Sequence, residues 1–567
     1  MKLYTRPIIV ILAFLLFTNC STTPSSDEPT AQPTHGMVVT ANQLSSDVGL
    51  QVLKDGGNAI DAAIAAGFAL AVTHPQAGNI GGGGFMVIRL PDGKATTFDF
   101  REVGPQATTS EMFLDESGAY SATRHHSSHL AVGVPGTVAG FDALHKAHGT
   151  MPWSRLLAPA VRLARDGFPV TKRLSDSLKN ALTGRMKNYP ASVDAFSDGG
   201  RPYETGEIFK QPDLAATLER IQNQGRAGFY EGKTAGLIVD EMRNGGGIIT
   251  SADLENYRVK ERKPVRGTYR EFEVIGMPPP SSGGCCVVEM LNILEAFDLR
   301  VIKHNSPKYV HLLTEAMRQA FRDRARFIAD ADFVAVPLSK LTSKDYAKSI
   351  QDELTLTRAG ISEPSQIMQD FESDETTHYS VVDKNGTGVA VTYTLEYSYG
   401  SGIVVPGAGF ILNNEMGDFN AQVGNTDERG LIGTKPNLAA PRKRMLSSMS
   451  PTLLVRDGKL FAVIGSPGGR TIINTVLQVA LNLMAFDMPI EEAVRAPRFH
   501  HQWLPNVIRF EKRGLSHALE EELKRMGHTI VTSKVQGMAH CIQVDQKTGH
   551  LSGAADARDL DAHASGY

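Results

Sequence analysis

Thr376 and Thr394 lie at the two ends of a segment that reads as a β-hairpin, and their hydroxyls are the first groups in this chain with a claim to chemistry. HYSVVD (378–383), Lys384-Asn385-Gly386 and TGVAVTYTL (387–395) form two strand-like runs around an Asn-Gly turn. A two-residue type I′ loop there sets Thr394 opposite Thr377 and brings a second hydroxyl back beside Thr376; a bulge moves the pairing by one residue. Threonine favours strands, so two threonines in a hairpin are ordinary by themselves. Gly465-Ser466-Pro467-Gly468-Gly469 stands between a strand and a helix. Glycines there leave backbone N–H groups open at a helix start, which suits an anion or a developing oxyanion, although a tight turn uses the same residues. LSSMSPT (446–452) concentrates hydroxyls before a strand, the usual place of a loop or cap. LNNEMGDF (412–419) puts Glu415 and Asp418 in a loop after the apolar GAGFIL, where a solvated turn is the plain alternative.

These segments need elements to hold them. Ser46 and Asp47 are expected to cap a first helix, and Asn58 to cap a buried one over AIDAAIAAGFALAVTH. GNIGGGGFMVIRL then runs from glycines into a strand. That order, with no acidic residue at the matching spacing, excludes a dinucleotide loop. The middle, from about 130 to 350, reads as largely helical, interrupted by the Pro/Gly loop MPPPSSGGCC (277–286). From about 352 to 375 the chain turns polar and aperiodic, as an exposed loop would, and strand patterning begins sharply at Thr376. Further strands are expected at 450–457 and 459–465, and a helix after Gly469.

The whole chain sets the bounds. Its 567 residues are 41% hydrophobic with a formal net charge of −3, ordinary for a globular protein and without the basic excess that nucleic acid or an anionic membrane would call for. The length suits several domains or one large α/β body. Lys2, Arg6 and the apolar run 8–17 read as an export signal ending at Cys20. A Cys at that point resembles a lipoprotein cleavage site, with Asn19 where a small residue is usual; a plain secretory signal is the alternative. Both readings put the mature protein in the periplasm, with or without a lipid anchor. Residues 21–35 read as a flexible polar tether. Cys285 and Cys286 are neighbours poorly placed to pair, and Cys541 is a possible partner for either. No Cys/His spacing implies a metal, and no cofactor is expected.

In this order, GNIGGGGFM (78–86), DFRE (99–102), PGTVAGF (135–141), MPPPSSGG (277–284), TTHYSVV (376–382), LNNEMGDF (412–419), LSSMSPT (446–452), GSPGG (465–469) and APRFHHQWLP (496–505) closely resemble the γ-glutamyltransferases of the N-terminal-nucleophile hydrolase superfamily. The blocks span nearly all of the mature chain. The resemblance implies an αββα sandwich of two stacked sheets between helical layers, α/β in class. It also implies self-cleavage before Thr376 into a large chain, 36–375, and a small catalytic chain, 376–567.

It further implies roles for particular residues. Thr376 is the nucleophile, first on the carbonyl of Glu375 and then on the γ-glutamyl amide of glutathione or a related donor. The acyl group passes to water or to an acceptor amino acid or peptide. Thr394 bonds the nucleophile, and Gly468 and Gly469 form the oxyanion hole. Arg101 holds the substrate α-carboxylate with Ser447 and Ser448. Asp418 holds the α-ammonium, with Glu415 nearby. There are departures: Glu396 stands where many members have Asn, Gly417 where many have an acid, and Arg429 near the place of a lid aromatic, in a lid expected between Gln422 and Arg444. Two rivals remain: a related N-terminal-threonine acylase for glutaryl or other acyl amides, and an unprocessed periplasmic binding lipoprotein on the same fold.

Overall fold

Alternation along the central strands dictates the layers. In β1 (Gly36–Thr40), Met37 and Val39 belong to one buried cluster and Val38 to the other; in β2 (Gly83–Arg89), Phe85 and Val87 oppose Met86 and Ile88. Both faces are apolar, so the sheet must be covered on both. The computed structural model describes residues 33–363, 376–420 and 433–567. The export signal, Cys20, most of the tether, Glu375 and Arg429 lie outside the described residues.

The later strands are β3 (Ala95–Asp99), β4 (Lys260–Arg262), β5 (Val265–Tyr269), β6 (Phe272–Gly276), β7 (Thr377–Asp383), β8 (Gly388–Thr394), β9 (Thr452–Arg456), β10 (Lys459–Ile464), β11 (His540–Val544), β12 (Leu551–Ala555) and β13 (His563–Gly566). One sheet is ordered β13-β1-β7-β8-β2-β3-β4, the other β12-β11-β10-β9-β6-β5, and neighbours are antiparallel throughout. The two stack through a core that holds Met37, Val39, Phe85, Val87, Val382 and Ala390 of the first and Leu453, Val463 and Ile542 of the second.

Helices close the outer faces. α1 (Gln43–Lys54), α2 (Ala59–Thr73) and α3 (Thr137–His148) share a core with Val38, Met86, Ile88, Val381, Val389 and Val391. α2 is buried along its whole length, and Tyr379 and Tyr393 donate to its Ala63 and Gly67 carbonyls at 3.0 and 2.9 Å. α4 (Gly283–Leu294), α5 (Pro307–Phe327) and α6 (Thr471–Met484) join the core of the other sheet. The architecture is the αββα sandwich, and strands from both sides of Thr376 contribute to each sheet.

Several local expectations change. Asn58 caps α2 in a box with Asp61, as expected, but α1 is capped by Asn42, whose side chain accepts from Leu44 N. Ser46 and Asp47 lie inside α1 and bond the C-terminal strand instead, Ser46 to the His563 carbonyl and Asp47 to the Ser565 hydroxyl. The helical middle also holds β4, β5 and β6, which its periodicity concealed. Cys285, Cys286 and Cys541 are buried free thiols; Cys286 and Cys541 reach different carbonyls, those of Ala320 and Gly465. The hairpin turn is not a two-residue loop. Asp383 and Thr387 close a three-residue one, in which Gly386 takes φ +82° and the Asp383 carboxylate accepts from Asn385 N and Thr387 N. The register moves by one, Tyr393 faces Thr377, and Thr394 comes level with Thr376 itself.

Candidate active site

Thr376 and Thr394 meet at the open end of β7 and β8 with their hydroxyl oxygens 3.4 Å apart. The Thr394 hydroxyl also accepts from Glu396 N at 2.9 Å. Behind Thr394, the Asn79 amide donates to its carbonyl, and the Asn79 side-chain carbonyl accepts from Gly82 N and the Thr137 hydroxyl. A Cβ on Gly82 would stand 2.1 Å from the Thr394 carbonyl oxygen, and one on Gly136 would stand 2.0 Å from that of Phe100. The blocks GNIGGGG and PGTVAGF therefore serve close packing of β2 behind Thr394 and the Arg101 loop.

Arg101 follows β3 and is buried. Its guanidinium reaches Glu415 at 2.5 Å, pairs with Asp418, and passes Glu102 at 3.7 Å. The carbonyls of Met445 and Leu446 accept further bonds from it. Glu415 and Asp418 lie on a 3-10 turn, Glu415–Asp418, held by Asn413, whose side chain bridges Gly81, Gly133 and Glu415 N. Burial pushes the Glu415 carboxyl well up and that of Glu102 up to about 8, both against the pull of Arg101. One cation is thus shared among three acids, an arrangement a zwitterion can enter by exchanging partners.

The serines are set by MPPPSSGG. Ser282 donates twice to the Ser447 carbonyl, from N at 2.8 Å and from its hydroxyl at 2.7 Å, and Ser447 N donates to the Pro280 carbonyl. Arg324 of α5 donates to the hydroxyls of Ser448 at 2.8 Å and Ser282 at 3.0 Å. On the last wall, Gly468 and Gly469 have φ +128° and +52°, and among the described residues neither N–H donates to a protein acceptor. Gly465 lets this turn lie on His378, whose ring would be 2.1 Å from a Cβ there. His378 bonds the hydroxyls of Thr392 and Ser380, and burial holds its pKa well below the usual histidine value, so it is a neutral strut.

Thr376, Thr394, Arg101, Glu396, Glu415, Asp418, Ser447, Ser448 and Gly469 line one small pocket, of which Gly468, next to Gly469 in the chain, is not a lining residue. The chain matches the gamma-glutamyltranspeptidase family model over residues 45–566. It is 46% identical over 535 residues to the glutathione hydrolase proenzyme of Escherichia coli (strain K12), covering 94% of this chain and 92% of that one.

The chain belongs to the gamma-glutamyltranspeptidase family.

Among solved structures it resembles the cephalosporin acylase of Bacillus halodurans, at 26% identity, a TM-score of 0.84 and coverage of 98% and 99% of the two chains. It also resembles the Helicobacter pylori gamma-glutamyltranspeptidase, at 47% identity and a TM-score of 0.55, covering 56% of this chain and 91% of that one. Within this family framework, reading the sequence missed Arg324, which holds Ser448, and His126, whose Nδ1 lies 3.3 Å from Glu396 Oε1. Both come from distant helical segments, and neither carries a local signal. The Gly417 departure has a spatial partner as well: a Cβ there would stand 2.3 Å from His126 Nδ1 and 2.8 Å from Glu396 Oε1.

Proposed function

We propose that this chain is a self-processing γ-glutamyltransferase in which Thr376 is the nucleophile of both maturation and turnover. The observation that carries this reading is the meeting, in one small pocket, of the Thr376 hydroxyl with a buried guanidinium flanked by two carboxylates. In maturation the Thr376 hydroxyl adds to the Glu375 carbonyl, the C–N bond breaks, and an ester forms. Water hydrolyses the ester to leave a carboxylate on Glu375 and a free α-amine on Thr376. That amine, with an ordinary pKa of roughly 7.7–8.0, takes the proton of its own hydroxyl as the hydroxyl attacks a γ-glutamyl amide.

The α-carboxylate of the donor takes Arg101 and the hydroxyls of Ser447 and Ser448. Its α-ammonium takes Asp418, with Glu415 and Glu396 beside it. The oxyanion meets the N–H groups of Gly468 and Gly469, a term worth roughly 3–4 kcal/mol per donor in comparable enzymes. Thr394 orients the nucleophile. The leaving amine takes the proton back, and water or an acceptor amine resolves the ester. The likeness to a cephalosporin acylase keeps a glutaryl amidase as the second reading; against it, a glutaryl group offers Asp418 no ammonium. Export, with Cys20 as a lipid-anchor site, belongs to the proposal and is supported by residues 2–20 alone.

Intact mass and a denaturing gel of the wild type beside Thr376→Ala test the core of it. The wild type should split into chains ending at Glu375 and beginning at Thr376, and release p-nitroaniline from γ-glutamyl-p-nitroanilide. Thr376→Ala should stay whole and inert. An uncut wild type sinks the proposal, and turnover of a glutaryl anilide in preference to the γ-glutamyl one moves it to the acylase reading.

A further inference from the structure

Beyond Glu396, which lines the pocket, the chain runs into a second cluster of polar and aromatic groups. The next residue, Tyr397, lies under Arg185, whose guanidinium carbon is 4.2 Å from the ring centroid, and beside His126, with ring centroids 5.4 Å apart and planes 29° from parallel. Arg185 opens a 3-10 turn, Arg185–Asn188, after the helix Lys172–Thr183. Its backbone is pinned to the loop after Glu396: a Cβ on Gly402 would stand 3.0 Å from the Arg185 carbonyl oxygen, and Ser192 donates to the Gly402 carbonyl at 2.7 Å and accepts from Val404 N. Asn414, from the segment that carries Glu415 and Asp418, accepts from Tyr397 N and donates to the His126 carbonyl, both at 3.2 Å. The platform is built, and it is tied to the acids of the pocket.

Arg185 differs from Arg101 in one respect. Arg101 is saturated by carboxylates. Arg185 is half-buried, donates to the His126 carbonyl at 3.3 Å, and has no carboxylate within ion-pair distance among the described residues. Burial pulls its pKa down and the charge of Glu396 pulls it up, so the two groups sense each other. Yet the Glu396 carboxylate turns to His126, which occupies the room left by the missing side chain of Gly417. A planar fork with unused donors, stacked on an aromatic ring, is suited to a carboxylate.

We propose that Arg185 on its Tyr397 platform receives the carboxylate of the amine half of the reaction. That is the C-terminal carboxylate of a dipeptide-like leaving group and, by reversal of the same step, that of an incoming amino acid or peptide acceptor. The α end of the γ-glutamyl group is held at Arg101 and Asp418, so the amine half leaves on another side of Thr376. Tyr397 is three residues from Thr394 and so within about 11 Å of it, while a two-residue amine half spans about 7 Å. The cation–π stack fixes the guanidinium over Tyr397 without neutralising it.

This inference rests on the γ-glutamyl transfer reading, and the test separates the two. The donor is γ-glutamyl-p-nitroanilide, whose leaving group has no carboxylate, and the acceptors are glycylglycine and glycylglycinamide. The wild type should prefer the free carboxylate by roughly 10- to 100-fold in acceptor kcat/KM, the range of a charge-assisted hydrogen bond. Arg185→Gln should bring the ratio close to one, and Arg185→Lys should restore part of it. A wild-type ratio near one overturns the inference without any variant, as does an Arg185→Gln enzyme that matures and keeps the wild-type ratio. If Arg185→Gln fails to mature, Arg185→Lys with an unchanged ratio overturns it, because lysine keeps the charge but loses the fork. Absence of p-nitroaniline release with either acceptor and with water overturns the γ-glutamyl reading itself.

Discussion

Arg101 meets Glu415 and Asp418 in the protein itself, so under the proposed function donor binding would be an exchange of ion pairs rather than the filling of an open charge. In the proposed reading, a donor α-carboxylate would take the guanidinium from Asp418, and its α-ammonium would compensate Asp418 in the same step. The buried Arg101 charge and the part-buried Asp418 charge would then stay paired at every stage, which avoids the heavy cost of leaving one alone. Asp418→Asn keeps the size of the side chain and removes its charge. With γ-glutamyl-p-nitroanilide, kcat/KM should fall roughly 10- to 100-fold, mostly through KM, from the ~1.5–3 kcal/mol of a charged hydrogen bond. With a glutaryl anilide, which has no ammonium, the variant should do no worse than the wild type. Equal losses on both donors would mean that Asp418 acts by orienting Arg101 rather than by binding the ammonium.

At the scale of elements, the site depends on how closely β2 can approach β8. Gly82→Ala would drive a methyl group into the Thr394 carbonyl at 2.1 Å and into the Asn79 side chain at 2.8 Å. Overpacking of this kind costs about 1–3 kcal/mol, and here the strain falls on Thr394, which contacts the Thr376 hydroxyl. The cleaved fraction on a denaturing gel should drop and uncut precursor should accumulate, with a lower thermal midpoint. Full cleavage at the wild-type rate would sever the link between this packing and Thr376. The example also marks what was legible in the sequence. Strand alternation and the Asn-Gly turn brought Thr394 to the neighbourhood of Thr376, but the register came out one residue off because the Asp383 carboxylate closes a longer loop. The glycines of 81–84 were recognisable as not nucleotide-binding, whereas their use against Thr394 is a long-range contact with no local pattern. Arg324 and His126 were hidden for the same reason. The four-layer stack itself came through resemblance, since periodicity in β1 and β2 indicates two buried faces but not what covers them.

Across the whole molecule, burial holds a set of histidines neutral. The pKa values of His528 and His540 are lowered to about 4, and those of His74, His378 and His501 fall well below the ordinary value, with burial the main cause in each. A depressed folded value means stability that is present above about 6.5 and lost as pH falls through about 4. His528 has a definite place in this. His311 Nε2 donates to the Thr355 carbonyl at 2.7 Å, so its Nδ1 is the acceptor of the 2.8 Å bond from His528 Nε2. Glu315 completes a converging trio but is committed to Arg318 and Gly360 N. Together with the bond from Ala359 N to the Met526 carbonyl, these contacts anchor residues 355–360, in the last described stretch before Thr376. Protonating His528 puts a charge into that anchor, beside Arg318. In the uncut Thr376→Ala chain, where unfolding stays unimolecular, guanidinium unfolding should show stability falling between pH 6.5 and 4. His528→Gln should be less stable than its parent at pH 7 and regain on the order of 2–3 kcal/mol relative to it by pH 4. Limited proteolysis over the same range should cut the parent more readily within residues 355–360. A gap between parent and variant that does not change with pH would mean that His528 is not held neutral, and the acid sensitivity would then belong to His540 and the buried histidines around it.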